Sequence, residues 1–335
     1  KKKEVILEKL KNGEIDILIG THALLEENVV FKNLGFVVTD EQHRFGVKQR
    51  TTIVEKGQNP DVLVMTATPI PRTLALILYG DLDISIIDEL PPNRKKIDTF
   101  AVTKGMEERV NNFIKKQVDE GRQAYIVCPL VEENEEMNLK SVTALAEKYK
   151  NEVFKDYRVE YLHGKMKNKE KDEIMERFKN GDIDILISTT VIEVGVNVPN
   201  ASLMVVENAE RFGLAQLHQL RGRVGRGEYQ SYCILKYQGN SDVIRKRMKV
   251  MTDTNDGFII SEKDLELRGS GEFFGTRQHG LPEFKIANLF EDMPVLKQVQ
   301  ALAINITEED PKLDLEKNKE LRLLIEEKFK NRVEI

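Results

Sequence analysis

The stretch TDEQHRFGVKQR (residues 39–50) closes the apolar run LGFVV and sets two adjacent carboxylates, Asp40 and Glu41, beside Gln42 and His43. In open parallel sheets, ligands bind beyond the carboxyl ends of the strands, where this pair would lie. An aspartate there can hold Mg²⁺, often through water, and a neighbouring glutamate can orient or deprotonate an attacking water. That is the division of labour of a nucleotide hydrolase. Acid pairs at strand ends also serve simply as helix caps, so the pair alone leaves both readings open. A zinc site fits less well, because no His-Glu-x-x-His spacing occurs and no second histidine is near.

Positive charge comes from a second stretch, QLHQLRGRVGRG (residues 216–227). Arg221, Arg223 and Arg226 alternate there with Gly222, Gly225 and Gly227, which would let guanidinium forks approach a phosphate closely. Arginines brought in from a neighbouring domain can stabilise charge on a transferring γ-phosphoryl group. A basic loop that grips only a nucleic-acid backbone has the same composition. From residue 211 to 250 there are nine Lys or Arg against two acids, within a chain whose net charge is −5. This segment is the candidate anion-binding surface, while EENEE (132–136) and the Glu-rich end are read as solvated faces.

The elements that must position these groups are legible in an internal repeat. LKNGEIDILIGT (10–21) recurs as FKNGDIDILIST (178–189), 168 residues later. Each copy reads as a helix ending at a Lys-Asn-Gly cap followed by a short apolar strand. A second apolar run follows each, GFVVTDEQHRFG in the first copy and LMVVENAERFG in the second. Further strands are expected at DVLVMT (61–66), AYIVCPL (124–130), VEYLH (159–163) and SYCILKY (231–237), with the near-continuous apolar character of a sheet covered on both faces. The pattern predicts α/β architecture with two similar parallel-sheet domains in tandem, divided near ELPPNRKKID (89–98) by a double proline. The copies differ where chemistry would sit, Asp40-Glu41-Gln42-His43 facing Glu207-Asn208-Ala209-Glu210.

The 335 residues, 40% of them hydrophobic, suffice for two or three domains with a sizeable core. Cys128 and Cys233 both lie in apolar runs and read as reduced, buried thiols, which points to the cytoplasm. No apolar run approaches the roughly 20 residues needed to span a bilayer, so no membrane is expected. The opening KKKEVILEKL, without a starting methionine, reads as an amphipathic helix already under way; the expectation is a fragment whose missing part lies upstream.

DEQHRFGVKQR, TATPIPRTL (66–74) and QLHQLRGRVGR resemble motifs II, III and VI of superfamily 2 helicases. STTVIEVGVNVPNA (188–201) is similar to motif V and GTHAL (20–24) to motif Ib. Within that superfamily, the RecG family and the Mfd transcription-repair coupling factors share the first two; the tail DLELRGSGEFFGTRQHGLPEFKIANL (264–289) resembles RecG and departs from Mfd after DLELRGSG. The resemblance implies two RecA-like domains in tandem, the first incomplete, plus a C-terminal helical hairpin and loop. The domains would cover 1–92, 93–240 and 241–335, with the hairpin starting near Ser241.

It further implies that Asp40 holds Mg²⁺, Glu41 activates water, and Gln42 and His43 couple nucleotide state to the domain. Thr66, Ala67 and Thr68 would relay between nucleotide and DNA. Gln219, Arg223 and Arg226 would face the phosphates, the two arginines as fingers, while Gly195 and Asn197 would sense nucleotide and strand. Thr21 and His22, with Arg268, Arg277 and Gln278 of the tail, would touch DNA or drive translocation; Gly269, Gly271, Gly275 and Gly280 suit an irregular backbone there. Phe273, Phe274 and Phe284 are read as core, and His163 of YLHGKM as a capped, hydrogen-bonded residue.

The implied cofactors are ATP and Mg²⁺. The implied substrate is branched double-stranded DNA, stalled forks and Holliday junctions, with replication or repair proteins as further partners and no mark of an oligomeric state. The phosphate-cradling G-x-x-x-x-G-K-[ST] is found nowhere in the chain. It and the family's wedge domain are expected upstream, so the isolated chain is expected to be inactive. The competing readings are an Mfd-like translocase module and a non-catalytic DNA- or protein-binding fragment.

Overall fold

The computed structural model describes residues 2–41, 52–67, 69, 83–91, 94–129, 143–189, 198–273 and 292–329. By its contacts the chain divides into a larger unit, residues 1–70 and 91–261, and a smaller one, residues 71–90 and 262–335.

The larger unit opens with helix α1 (Lys2–Asn12) and a two-stranded parallel sheet of β1 (Phe36–Thr39) and β2 (Asp61–Val64), paired Phe36 to Asp61 through Thr39 to Val64. Then comes a six-stranded sheet made of β3 (Asp98–Thr103), β4 (Gln123–Val127), β5 (Val159–Leu162), β6 (Ile185–Ser188), β7 (Ala201–Val206) and β8 (Tyr232–Tyr237). Its order is β3-β8-β7-β4-β6-β5, and each pairing is parallel. Helices α2 (Glu107–Asp119), α3 (Asn168–Lys179), α4 (Leu214–Arg221) and α5 (Asp242–Asp253) accompany it. Parallel strands need such crossovers, and helices on the faces explain why β4, β6 and β7 are buried at every residue.

One face of the sheet packs Ala124, Ile126, Ile185, Ile187, Leu203 and Val205 against Val110 and Ile114 of α2, with Tyr149 and Phe154 closing the cluster. Tyr125 meets Phe178 of α3 with ring centroids 4.8 Å apart. Buried Gln123 joins the end of α3 to the approach to β6, its side-chain amide donating to Phe178 O at 2.5 Å and Ile183 O at 2.7 Å.

The repeated helix ends fold alike. Gly13 and Gly181 stand at φ 76° and 81°, in the left-handed region that a side chain would disfavour. In both copies the next amide reaches back five residues, Glu14 to Lys9 O and Asp182 to Arg177 O, at 2.9 Å each. Beyond the caps the copies part. DILIS in the second forms β6 between β4 and β5, whereas DILIG in the first is no strand, and Ile17 and Ile19 stand 79% and 90% exposed. The expected strand there is corrected: a strand persists where neighbours complete its ladder, and no described residue pairs with this one. Strand β3, which the apolar pattern did not announce, is one edge of the sheet; none of its residues is buried, and it carries no long apolar run.

The smaller unit contains helices α7 (Met293–Glu309) and α8 (Lys319–Phe329). Asp310 fastens the turn between them, accepting the amides of Asp314 and Leu315 and the Asn318 side chain, each at 2.9 Å. Helix α6 (Gly257–Phe273) begins in the larger unit and ends in the smaller. The architecture is that of tandem α/β domains with C-terminal helices, as expected. No helix among the described residues is long and apolar enough to cross a membrane.

Phe178 is fully buried, so Phe178→Ala should cost roughly 3–5 kcal/mol of unfolding free energy in urea titration. A loss below about 1 kcal/mol would show that the sheet face closes over the gap.

Candidate nucleotide and DNA site

Each copy turns the same way after its second strand. β1 ends at Thr39 and β7 at Val206; the second residue onward, Glu41 or Asn208, takes a left-handed backbone at φ 53° or 48°. Asparagine tolerates that conformation, whereas glutamate pays for it, of order 1–3 kcal/mol, a strain typical of functional sites. The turn makes Asp40 the counterpart of Glu207 and Glu41 that of Asn208.

Their surroundings are opposite. Asp40 is exposed, with Oδ1 accepting the Glu41 amide at 2.8 Å, and the buried Thr39 hydroxyl beside it has no partner among the described residues. Glu207 is almost closed off: its Oε1 accepts from Lys236 Nζ at 2.5 Å and from the Tyr149 hydroxyl at 2.8 Å. Burial, reinforced by the charge of Glu207, pushes the Tyr149 phenol up and the nearby Cys128 thiol to about 12. The second copy's strand-end carboxylate is therefore neutralised inside the protein, and the first copy's is open to a ligand. Cys233 is likewise buried and pushed to about 12, so neither thiol is a reactive one.

The arginine loop splits into two kinds of residue. Arg226 is exposed, Arg223 and Gln219 are half-buried, and the charges of both arginines act on the Tyr125 phenol, opposing the upward push of burial. Arg221 is corrected from the expectation of a phosphate-approaching fork: it is 2% exposed and bonded within the fold. Its Nη1 donates to Met251 O at 2.8 Å, Thr254 O at 2.9 Å and Thr99 Oγ1 at 3.3 Å, and its Nη2 to His218 Nδ1 at 3.1 Å. Gly227 serves packing too, since a side chain there would come within 2.2 Å of Pro199 O.

His218 follows from this. An arginine can only donate, so Nδ1 must accept and the imidazole is neutral with its proton on Nε2. Burial and then the charge of Arg221 lower its pKa to about 4.

The remaining sequence-picked residues are placed as follows. Thr21 and His22 are exposed at the short turn His22–Leu25, and Thr66 and Ala67 are exposed just after β2. Gln42, His43, Thr68, Gly195, Asn197, Arg277 and Gln278 lie outside the described residues, as does the side chain of Arg268, whose backbone belongs to α6. Ser241 caps α5, its hydroxyl accepting the Ile244 amide at 3.3 Å. Of His163, expected as a capped, hydrogen-bonded residue, the carbonyl accepts the Met166 amide at 3.2 Å, while Nδ1 is buried without a partner among the described residues, and so is Thr189 Oγ1. They follow the paired strand ends Leu162 and Ser188, and the Thr189 amide donates to Leu162 O at 3.2 Å. Thr189 escaped sequence reading because nothing in STTVIEVG marks one hydroxyl as lacking a partner.

Comparison with known proteins gives the geometry its context. The DEAD/DEAH box helicase model matches residues 1–77, the helicase conserved C-terminal domain 106–228, and domain 3, C-terminal, of ATP-dependent DNA helicase RecG 254–334. The RecG of Bacillus subtilis is 51% identical over 310 residues, 92% of this chain and 46% of that protein. The RecG of Streptococcus pneumoniae is 50% identical over 329 residues, 95% of this chain and 49% of that one. The chain belongs to the RecG helicase family. A solved structure of RecG bound to a three-way DNA junction superposes with TM-score 0.67 at 48% identity, covering 88% of this chain and 38% of that one. The chain spans about half the length of the curated RecG proteins it matches. The match over 254–334 separates it from the Mfd reading, which shares only the start of that tail.

For Mg²⁺ the fit is good at Asp40: the ion takes hard oxygen ligands and commonly one or two carboxylates, the rest coming from phosphate and water. No group of three or more His, Cys, Asp or Glu able to cage a metal occurs among the described residues.

Two outcomes test this subsection. Lys236→Met, which strands Glu207 in a nearly closed site, should cost roughly 3–5 kcal/mol in chemical unfolding, and adding Glu207→Gln should restore most of it. Because His218 is held below its ordinary 6.5, its stabilising share is complete above that pH and is lost as pH falls toward 4. Between pH 7 and 5 the protein should lose about 2 kcal/mol more than His218→Gln does; parallel curves would refute the neutral-imidazole assignment.

Proposed function

We propose that this chain is the motor portion of an ATP-dependent double-stranded DNA translocase that remodels branched DNA, regressing stalled forks and migrating Holliday junctions in recombination and repair. The observation that carries it is the asymmetric duplication: one strand-end carboxylate open, its twin sealed by Lys236 and Tyr149. A nucleotide site between two similar lobes needs acid on one side and cation on the other, and the second lobe offers exposed Arg226 and half-buried Arg223.

In this reading Asp40 holds Mg²⁺, which would neutralise developing phosphate charge, and Glu41 orients the attacking water. The strained turn fixes their relative direction before substrate arrives. Gln219, Arg223 and Arg226 meet the γ-phosphate as the lobes close, making hydrolysis sensitive to closure. Gln42, His43, Thr66, Ala67, Thr68, Gly195 and Asn197 carry nucleotide state toward DNA. On the DNA side, the unpartnered His163 Nδ1 and Thr189 Oγ1 at adjacent strand ends suit phosphate oxygens, with Thr21, His22, Arg268, Arg277 and Gln278 as further contacts. Domains 1–92, 93–240 and 241–335 divide this work. Two deeply buried thiols fit a reducing cytoplasm as its setting.

In the full-length protein, Arg226→Ala should lower DNA-stimulated ATP turnover at least about a hundredfold while nucleotide affinity stays within about threefold. The 335-residue chain alone, which has no G-x-x-x-x-G-K-[ST], should show no DNA-stimulated turnover. Undiminished turnover in the variant removes Arg226 from the finger role, and stoichiometric turnover by the chain alone overturns the shared-site reading.

A further inference from the structure

The loop that carries Arg223 and Arg226 lies on residues 94–98, by which the chain comes into β3 after leaving the two-stranded sheet. Bonds join the two stretches at both ends. Arg94 Nη2 donates to Gly222 O at 3.4 Å at one end. At the other, Gln230 Nε2 donates to Lys96 O at 2.9 Å and Asp98 Oδ2 at 3.2 Å, and the Asp98 amide donates to Ser231 O at 3.0 Å. Between them the buried Ile97 presses on Gly225, where a Cβ would lie 3.0 and 3.1 Å from Ile97 Cγ1 and Cδ1. That glycine also stands at φ 78°, so a close approach and a left-handed turn fall at one position. Gly222 O accepts from a second guanidinium, Arg226 Nε, again at 3.4 Å. Arg94 is half-buried against the loop, whereas Lys95 and Lys96 beside it are exposed.

We infer that Arg94 is a positioning residue for Arg226: it holds the Gly222 carbonyl on which Arg226 rests and keeps the rest of that guanidinium turned away from the loop. Each bond to Gly222 O exceeds the usual limit of about 3.2 Å, so neither fixes the loop alone, and what Arg94 adds is direction. A fork bonded through Nε, the nitrogen nearest its stem, keeps its terminal pair for the bidentate contact that a phosphate accepts. A second guanidinium on the same carbonyl repels that pair and disfavours its folding back onto the loop backbone. The contact of Arg226 with phosphate rests on the function proposed above; the hold of Arg94 on Gly222 does not. Methionine keeps the apolar stem of Arg94 and removes its donors and charge, and Arg94→Ala serves where Arg94→Met folds poorly. Lys95→Met makes the same change of charge one residue along and leaves the Gly222 bond in place.

All variants are to be made in the full-length protein. In Arg94→Met the amides of Arg223 and Val224, which donate to Leu220 O at 3.0 Å and Arg221 O at 3.2 Å, should exchange at least about fivefold faster, while those of β4, β6 and β7 keep their protection. The kcat of DNA-stimulated ATP hydrolysis should fall about tenfold with the nucleotide KM within about threefold of the parent, and Lys95→Met should change neither by more than about twofold. Because Arg94 acts through Arg226, Arg94→Met added to Arg226→Ala should lower kcat by less than about twofold further. Unchanged exchange at Arg223 and Val224 in both Arg94 variants overturns the hold on the loop. An unchanged kcat, a KM that rises as far as kcat falls, an equal loss in Lys95→Met, or a full second loss of about tenfold in the double variant each overturns the positioning role. A parent protein without DNA-stimulated ATP turnover sinks the function proposed above, and the exchange result still decides the hold.

Discussion

Parallel pairing is the constraint from which the rest of this structure follows. A parallel strand cannot turn back on its neighbour through a short hairpin, so each strand of the six-stranded sheet returns by a crossover, and helices cover both faces. All the strands then point the same way, and their carboxyl ends gather along one edge. That edge is where Asp40, Glu207, His163 and Thr189 sit in their respective lobes. Chemistry is confined to the edge because the interior, with Ile185, Leu186, Ile187, Leu203 and Met204 all fully buried, has no room for a charged group that is not paired.

Duplication followed by divergence explains how two equal edges acquire unequal tasks. The turn after the second apolar run is retained, as the left-handed residue in each copy shows, while the DILIG and DILIS segments differ in structure and the carboxylates differ in electrostatics. In the second lobe, Lys236 projects from β8 and Tyr149 from the turn Tyr149–Val153 to meet Glu207. Together they convert what would be a ligand into a structural ion pair. The loop after α4 carries that lobe's half-buried Arg223 and exposed Arg226.

Much of this was legible in residue order. The repeat, the strands at 61–64, 123–127, 159–162 and 232–237 and the two buried thiols all follow from apolar period and cap chemistry, which act locally. What sequence missed depends on neighbours in space. DILIG and DILIS are nearly the same string, yet only the second has strands on either side, so only the second is a strand. The edge strand β3 carries no long apolar run, and its place is fixed by its pairing to β8. Arg221 looked like its neighbours Arg223 and Arg226 because composition reports charge and not direction. Thr99, Met251 and Thr254, which claim it, stand far off in the chain.

Within six residues arginine is placed in different ways, Arg221 buried, Arg223 half-buried and Arg226 exposed. An arginine meant for a phosphate has to leave part of its fork unsatisfied and wet, which keeps the cost of waiting small. One buried among carbonyls has no such freedom, because losing any acceptor would leave a charged donor unpaired in a low-dielectric site, at a penalty of several kcal/mol. Arg221 cannot alternate between the two roles. With Arg221 fixed, α4 has a rigid base, and the loop beyond it can present Arg223 and Arg226 from a position set by the fold rather than by the ligand.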